Sequence, residues 1–251
     1  MPESDVGWVE QLIIDTFEHK KKKAGYRTIK MLLERNHNLV VNHKKIKRIM
    51  KKHQLITKIR QKKKYTSYNE KSRMSNPLPD LVKRKFRQGA PDRVHSADIT
   101  EIRFMGSRKA YLFAVKDPET REIVSCSSST SPDARLVTEK YRKHLETLPK
   151  VVRSSLIVHT DQGGQFYSDA FFELIKSQNV KQSMSRKGNC LDNSPIESWF
   201  GHMKDEVEFS DCRSISDVDK LLTNYAHEYN VERPQWGLKG KTPAECRGQY
   251  N

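Results

Sequence analysis

Between Val94 and Met184 the hydrophobic pattern changes period in a fixed order, and that order restricts the fold more than any other feature of the sequence. Three stretches, 94–104, 109–116 and 121–128, read as strands, with tight turns signalled at Gly106-Ser107 and Pro118-Glu119. A helical stretch follows from about Asp133 to Leu148, then a strand at 155–160. A helix at 169–178, capped by Ser168, and a short strand at 180–184 complete the series. Three meandering strands, then helix, strand, helix and strand, predict an α/β domain.

This is the element order of a ribonuclease-H-like sheet, in which the first strand is central and lies beside the fourth. The order gives meaning to three acids. Asp98 sits inside the strand run Val94-His95-Ser96-Ala97-Asp98-Ile99-Thr100-Glu101-Ile102, and Asp161 follows the apolar run Leu156-Ile157-Val158 at the lip of a turn containing Gly163-Gly164. Glu197 opens the helical segment Ser194-Pro195-Ile196-Glu197-Ser198-Trp199-Phe200, with 35 residues between it and Asp161. Two strand-borne Asp and one helix-borne Glu suit two divalent cations about 3.5–4 Å apart, the arrangement used for in-line phosphoryl displacement. Spacing alone does not single them out, because Asp192 and Glu228, Asp133 and Asp169, and Asp169 and Asp205 share it. Context does: Asp133 and Asp169 stand at helix starts, where solvent-facing acids are ordinary. Asp98 and Asp161 instead fall where a buried strand meets a polar turn.

Glu197 has a bland reading too. Ser194-Pro195-Ile196-Glu197 fits a capping box with Ser194 as N-cap, Pro195 at N1 and Glu197 at N3, which would turn the carboxylate back onto its own helix. The two upstream acids weigh against that reading. Along the same helix Ile196, Trp199, Phe200, Met203 and Val207 form the buried stripe, while Gly201 and Lys204 share the face of Glu197. Lys204 is thereby expected to meet the substrate phosphate.

Charge supplies the second clue. The first 89 residues hold 24 Lys and Arg against 8 Asp and Glu, and the rest of the chain holds 23 of each, so the whole excess of +16 lies in the first third. So localised an imbalance points to a polyanion, with nucleic acid the foremost candidate. Three short helices are expected there. Trp8, Val9, Leu12, Ile13 and Phe17 make one apolar stripe, and Tyr26, Ile29, Leu32 and Leu33 a second. The third helix starts at Asn42 as N-cap, with Val41 stapled onto Ile46. It turns Ile46, Ile49 and Met50 inward and Lys44, Lys45, Lys47, Arg48, Lys51 and Lys52 outward, as a helix lying along DNA would. From Thr57 to about Ala90 periodicity fails between Ile59-Arg60-Gln61-Lys62-Lys63-Lys64 and Lys83-Arg84-Lys85-Phe86-Arg87, which reads as an extended basic linker. Residues 185–193 are polar and glycine-bearing, and are expected to form a mobile loop over the acids. Four widely spaced cysteines offer no CxxC pair, so reduced thiols are expected and a cysteine zinc site is not. No apolar run approaches 18 residues and no signal-peptide pattern opens the chain, so the reading is a cytoplasmic protein with no membrane partner.

At this point the motifs resemble a family. Asp98-Ile99-Thr100, His159-Thr160-Asp161-Gln162-Gly163-Gly164-Gln165-Phe166 and Ser183-Met184-Ser185-Arg186-Lys187-Gly188-Asn189-Cys190 are similar to the OrfB transposases of the IS-three class of bacterial insertion sequences. So are Asp192-Asn193-Ser194-Pro195-Ile196-Glu197-Ser198-Trp199-Phe200 and Tyr229-Asn230-Val231-Glu232-Arg233-Pro234 with Thr242-Pro243-Ala244-Glu245. Gly25-Tyr26-Arg27-Thr28-Ile29 and the stretch from Val41 to Met50 look like that family's helix-turn-helix-like module. The resemblance spans nearly the whole chain. It departs at His95 and Leu191, where the family usually has Trp.

The resemblance implies a retroviral-integrase-like catalytic core preceded by a small all-α domain. The expected division is 1–57 helix-turn-helix-like, 58–90 linker, 91–212 core and 213–251 C-terminal helix and tail. It implies a DDE triad of Asp98, Asp161 and Glu197 holding two Mg²⁺ ions, replaceable by Mn²⁺. Copy-out, paste-in transposition through a circular intermediate is implied as well. The partners would be the element's terminal inverted repeats and target DNA in the bacterial nucleoid, engaged by a DNA-bound dimer or larger assembly. A preceding reading frame, joined by frameshifting, would add a further DNA-binding segment, making this chain the downstream product. The candidate DNA contacts are Arg27, Lys44, Lys47, Arg48, Lys51, Lys62, Lys63, Lys64, Arg186, Lys187, Asn193 and Lys204. Two other classes stay open: a ribonuclease-H-type or junction nuclease on the same fold, and a catalytically silent DNA-binding regulator. A hydrolase built on His159 is weaker, since no nucleophile stands beside that residue.

Overall fold

A computed structural model describes residues 4–57, 78–186 and 190–250. These form two compact units. The first comprises the described residues up to 57 together with Arg233–Thr242. The second comprises 78–232 and 243–250, apart from 187–189.

The first unit contains α1 (Ser4–His19), α2 (Tyr26–His37) and α3 (His43–Lys52). Its core gathers Val9, Ile13 and Phe17 from α1, Ile29 and Leu33 from α2, and Val41, Ile46 and Ile49 around α3. Val9, Ile13 and Phe17 form one i, i+4, i+8 ridge. Trp8, expected in that stripe, stands one position off it and is 48% exposed. The expected cap of α3 is present: the Asn42 side chain accepts from the Lys44 N–H at 2.8 Å. Val41 and Ile46 are both buried, as the staple requires. In the 233–242 segment a 3-10 turn (Trp236–Leu238) places Trp236 against Arg27, whose guanidinium lies 5.7 Å from that ring and 5.3 Å from Tyr26.

The second unit is built on a five-stranded sheet. Its strands are β1 (Val94–Phe104), β2 (Arg108–Lys116), β3 (Ile123–Ser129), β4 (Ile157–Thr160) and β5 (Lys181–Met184), in the order β3-β2-β1-β4-β5. The β1–β2 and β2–β3 pairs are antiparallel, while β1–β4 and β4–β5 are parallel. A meander of three strands continued in parallel by two more, with the first strand central, is the ribonuclease-H-like sheet expected from the element order.

Period-two alternation divides the sheet between two cores. Ala97 on β1 and Phe113 and Val115 on β2 face α4 (Ala134–Thr147) and α6 (Asp169–Ser177). Ile102 and Phe104, with Ala110, Leu112 and Ala114, face α7 (Ser194–Glu206) and α8 (Ile215–Val231). Asp133 and Ser168 cap α4 and α6 through their side chains, and Ser214 and Asp217 form a capping box on α8. A short helix, α5 (Lys150–Ser155), starts where no helical period is visible and shortens the expected fourth strand to four residues. The last short helix, α9 (Pro243–Arg247), packs on α8.

Of the segment read as a linker, 58–77 lies outside the described residues. The remainder packs on the sheet. Val82 is buried, the Leu81 N–H donates to Ser183 Oγ at 2.9 Å, and the Met184 N–H donates to the Pro79 carbonyl at 3.4 Å. Among the described residues no helix is long and apolar enough to cross a membrane.

Candidate active site

Asp98 and Asp161 become neighbours because β1 and β4 pair in parallel with Ser96 opposite His159. Two residues further along each chain the alternation returns to the same face, which brings the two acids side by side. Asp98 Oδ1 accepts the Ile99 N–H at 2.7 Å, and Asp161 Oδ1 accepts the Gly163 N–H at 2.9 Å. The second contact explains the glycine. A Cβ on Gly163 would stand 2.9 Å from Asp161 Oδ1 and 2.5 Å from Gln165 Nε2, too close unless the carboxylate moves.

Glu197 comes from the first turn of α7, and three contacts dock that turn while a fourth, from Lys204, holds the last turn. Asn193 Nδ2 donates to the Ala97 carbonyl at 3.1 Å, and Lys116 Nζ donates to the Pro195 carbonyl at 3.1 Å. His159 Nε2 donates to the Asp192 carbonyl at 2.8 Å, and Lys204 donates to Thr100 Oγ1. The N-cap of α7 is Asn193, with no side-chain cap bond, so the expected capping box on Ser194 is not formed. The helix begins one residue earlier than the box requires, because the Asn193 amide is committed to β1. Glu197 is thereby left turned to the acids instead of to its own N-terminus.

The electrostatics follow from this convergence. Burial pushes the Asp98 carboxyl well above the usual carboxylate range, and the charge of Asp161 adds to the shift, with Glu197 contributing further and Lys204 opposing. Burial likewise raises Asp161. Glu197 is exposed, yet partial loss of water and the charge of Asp161 raise it too. Three acids that disfavour one another's ionisation form an all-oxygen donor set for a hard divalent cation. Among the described residues the three-membered group whose ligand atoms all lie within 4.8 Å is a different one, Asp92, His95 and His144, so the three carboxylates are more widely spaced.

Beside the acids runs a polar network that sequence reasoning missed. Asp192 is 1% exposed and holds two arginines: Arg84 Nε donates to Oδ1 at 2.7 Å, and Arg186 Nε donates to Oδ2 at 2.9 Å. The two guanidiniums hold the Asp192 carboxyl well below the usual range. His159 is buried between Asp192 and Ser183, accepting from Ser183 Oγ at 2.9 Å, and burial lowers its pKa. Its geometry is that of a positioning residue. Sequence offers little to find this network, since Arg84 and Asp192 are 108 positions apart.

The expected DNA contacts divide. Arg27, Lys44, Lys47, Arg48 and Lys51 are exposed on the first unit, Lys47 with its ammonium 4.3 Å above the Tyr26 ring. Lys204 is half-buried beside Asp98, and Arg186 is exposed but bound to Asp192. Asn193, expected to contact DNA, is instead buried with its amide spent on Ala97, so it supports α7 from inside. Lys62, Lys63, Lys64 and Lys187 lie outside the described residues.

Comparison with known proteins places these features in context. Residues 88–190 and 178–243 each match a family model described as an integrase core domain, and residues 8–63 match one described as an HTH-like domain. The chain is 33% identical over 242 residues to a putative transposase for insertion sequence element IS150 of Escherichia coli, covering 96% of this chain and 83% of that one. It is 32% identical over 220 residues to an uncharacterized transposase-like protein of Haemophilus influenzae, covering 87% and 99%. Among solved structures, the HTLV-2 integrase catalytic core domain in complex with magnesium aligns over 64% of this chain and 99% of its own, at 15% identity and a TM-score of 0.48.

Proposed function

Because this chain belongs to the IS3-class insertion-sequence transposases with an integrase-like core, we propose that it cuts the ends of its element and joins them to DNA at Asp98, Asp161 and Glu197. The observation that carries this reading is the convergence of three acids of raised proton affinity from β1, the end of β4 and the first turn of α7. Their donor chemistry fits a hard divalent cation. Asp98, Asp161 and Glu197 are the residues that would hold it, as a pair of Mg²⁺ ions with Mn²⁺ as a working substitute. When bound, such ions lower the pKa of the attacking oxygen and stabilise the leaving one.

Around that chemistry the chain's own groups position and screen. Lys204, fixed by Thr100 on the strand of Asp98, presents an ammonium where a phosphate diester meets the acids. The docked turn of α7 keeps Glu197 on the same side as Asp161. In the first step water attacks a phosphodiester at the element's end, a P–O bond forms as another breaks, and a 3′-hydroxyl is released. In the second step that hydroxyl attacks a target phosphodiester, so one bond is again exchanged for one. No covalent enzyme intermediate and no external energy source are required.

DNA is the partner, with the exposed cations of α3 taking phosphates of the terminal inverted repeat. Joining two ends calls for a dimer or larger assembly on DNA, with or without the product of the upstream frame. The setting is the bacterial cytoplasm, where the nucleoid offers target DNA.

The test is strand transfer with labelled duplexes carrying the element's terminal repeats, in Mg²⁺ and in Mn²⁺. Wild type and Glu197→Gln are compared, each alone and fused to the upstream-frame product. Metal-dependent joining that the substitution removes supports the proposal, and joining by the fusion alone assigns this chain the catalytic half. Hydrolysis without joining would place it with the nucleases of this fold. Tight repeat binding with neither reaction would make it a regulator.

A further inference from the structure

On the face of β1 opposite Asp98, His95 points toward α4 among groups that the transposition chemistry does not use. Its Nε2 lies 2.8 Å from Asp92 Oδ1 and its Nδ1 lies 3.0 Å from the Tyr141 hydroxyl. The ring of His144 stacks on Tyr141 with 6.3 Å between centroids, and is 5.4 Å from His95. One ligand atom each from Asp92, His95 and His144 falls within 4.8 Å of the others. His95 is fully buried and Asp92 6% exposed. A second, independent observation concerns His144 Nε2, a buried nitrogen with no hydrogen-bond partner. Leaving such an atom unsatisfied is costly, and native structures seldom do so without a bound group to account for it.

We propose that Asp92, His95 and His144 form a structural site for a first-row divalent cation of the Zn²⁺ type, separate from the catalytic acids. Two imidazoles and one carboxylate are the nitrogen and oxygen set that Zn²⁺ accepts in tetrahedral geometry, with water in the fourth position. The neighbours are those such a site needs. With its proton on Nδ1 and donated to Tyr141, His95 presents the Nε2 lone pair, and that atom and Asp92 Oδ1, 2.8 Å apart without the ion, part by about half an ångström to become adjacent ligands. Arg247 on α9 orients the Asp92 carboxylate, with Nη1 donating to Oδ2 at 2.8 Å, and also holds Asp117 at 2.9 Å and Glu122. Asp92, Asp117 and Glu122 thus face one guanidinium, leaving negative charge for a dication to balance. Zn–N distances of about 2.0–2.1 Å set tetrahedral ligands roughly 3.3 Å apart, so His144 closes on the ion by on the order of 1 Å. The site ties the start of β1 to α4 and, through Arg247, to α9.

The experiment uses the full chain, stripped with chelator and titrated with Co²⁺ as a coloured stand-in for Zn²⁺, in excess Mg²⁺ to occupy oxygen-only sites. The expected result is a visible absorption band that saturates at one ion per chain, is erased by Zn²⁺, and persists in Asp161→Asn. It should vanish in His144→Phe, which keeps the ring on Tyr141 and removes the nitrogen, and in His144→Gln. Zn²⁺ should raise the Tm of the wild type and leave that of either His144 variant unchanged, with circular dichroism confirming that each is folded. A wild type without a saturable band overturns the proposal. So does a band that survives loss of the His144 imidazole or disappears with Asp161.

Discussion

Asp161 carries a cost that its neighbours impose, and the cost is measurable. A carboxyl whose folded-state pKa is raised above its unfolded value contributes stability while protonated and loses it as pH rises through the folded-state pKa. Asp98, Asp161 and Glu197 are all shifted in that direction, so at neutral pH and without divalent cations their ionisation opposes folding. Asp161→Asn in chelator at pH 7 should therefore raise the Tm, while in Mg²⁺ the same substitution should reduce joining to background. The gain should shrink as pH falls toward the unfolded carboxylate value of about 3.9. A variant melting at or below the wild type at pH 7 would contradict this account. Gly163→Ala separates position from charge at the same residue. Its backbone is ordinary, with φ −67°, so the substitution brings no conformational strain. The added methyl nonetheless meets Asp161 Oδ1. Joining should fall at least tenfold with the Tm shifted by no more than a few degrees, and near-wild-type joining would show that the carboxylate tolerates displacement.

The α7 helix illustrates how an element reaches its place by contacts that local sequence does not encode. Its first turn is held by Asn193 bonded to Ala97 of β1, by Lys116 from β2 and by His159 at β4, while Asp192 just before it is pinned by Arg84 and Arg186. The depressed Asp192 carboxyl stabilises the fold above its unfolded pKa, and that contribution is lost as pH falls toward the folded-state value. Asp192→Asn should accordingly lower the Tm at neutral pH and flatten its acid dependence. It should also reduce joining, because the turn bearing Glu197 loosens. An unchanged acid limb in the melting curve would remove Asp192 from that role. Strands and helices with a strong period were legible from the chain, β1 to its end residues and α4 to within one residue at each end. The order of those periods foretold the sheet, and with it the adjacency of Asp98 and Asp161. The capping box was misread because Ser194, Pro195 and Glu197 satisfy the local pattern, whereas helix register is decided by the bond from Asn193 to Ala97 across 96 positions. The Asp192 clamp and α5 were missed for different reasons: one depends on Arg84 from 108 positions away, and the other, at six residues, is under two turns and too short to show a period.

At the scale of the molecule, the proposed function puts DNA binding on the first unit and chemistry on the second. The cationic excess lies in the first 89 residues, whereas the remainder is balanced and carries the three acids that converge at Asp98. Affinity for DNA should then depend on salt chiefly through the exposed cations of α3, since each phosphate neutralised adds about 0.9 to the slope of log K against log salt. Lys44 and Arg48 stand one turn apart on that face, and both are exposed. Replacing both with Ala should flatten the slope by about 1.8 and weaken repeat binding, while the joining rate at saturating DNA stays within about twofold of wild type. Glu197→Gln should do the opposite, leaving the slope unchanged and stopping the reaction. Filter binding across a salt series, paired with single-turnover joining on the same preparations, measures both quantities. If the α3 substitutions slow joining at saturation as much as they weaken binding, then α3 takes part in aligning the scissile phosphate, and the division between a binding unit and a chemical one fails.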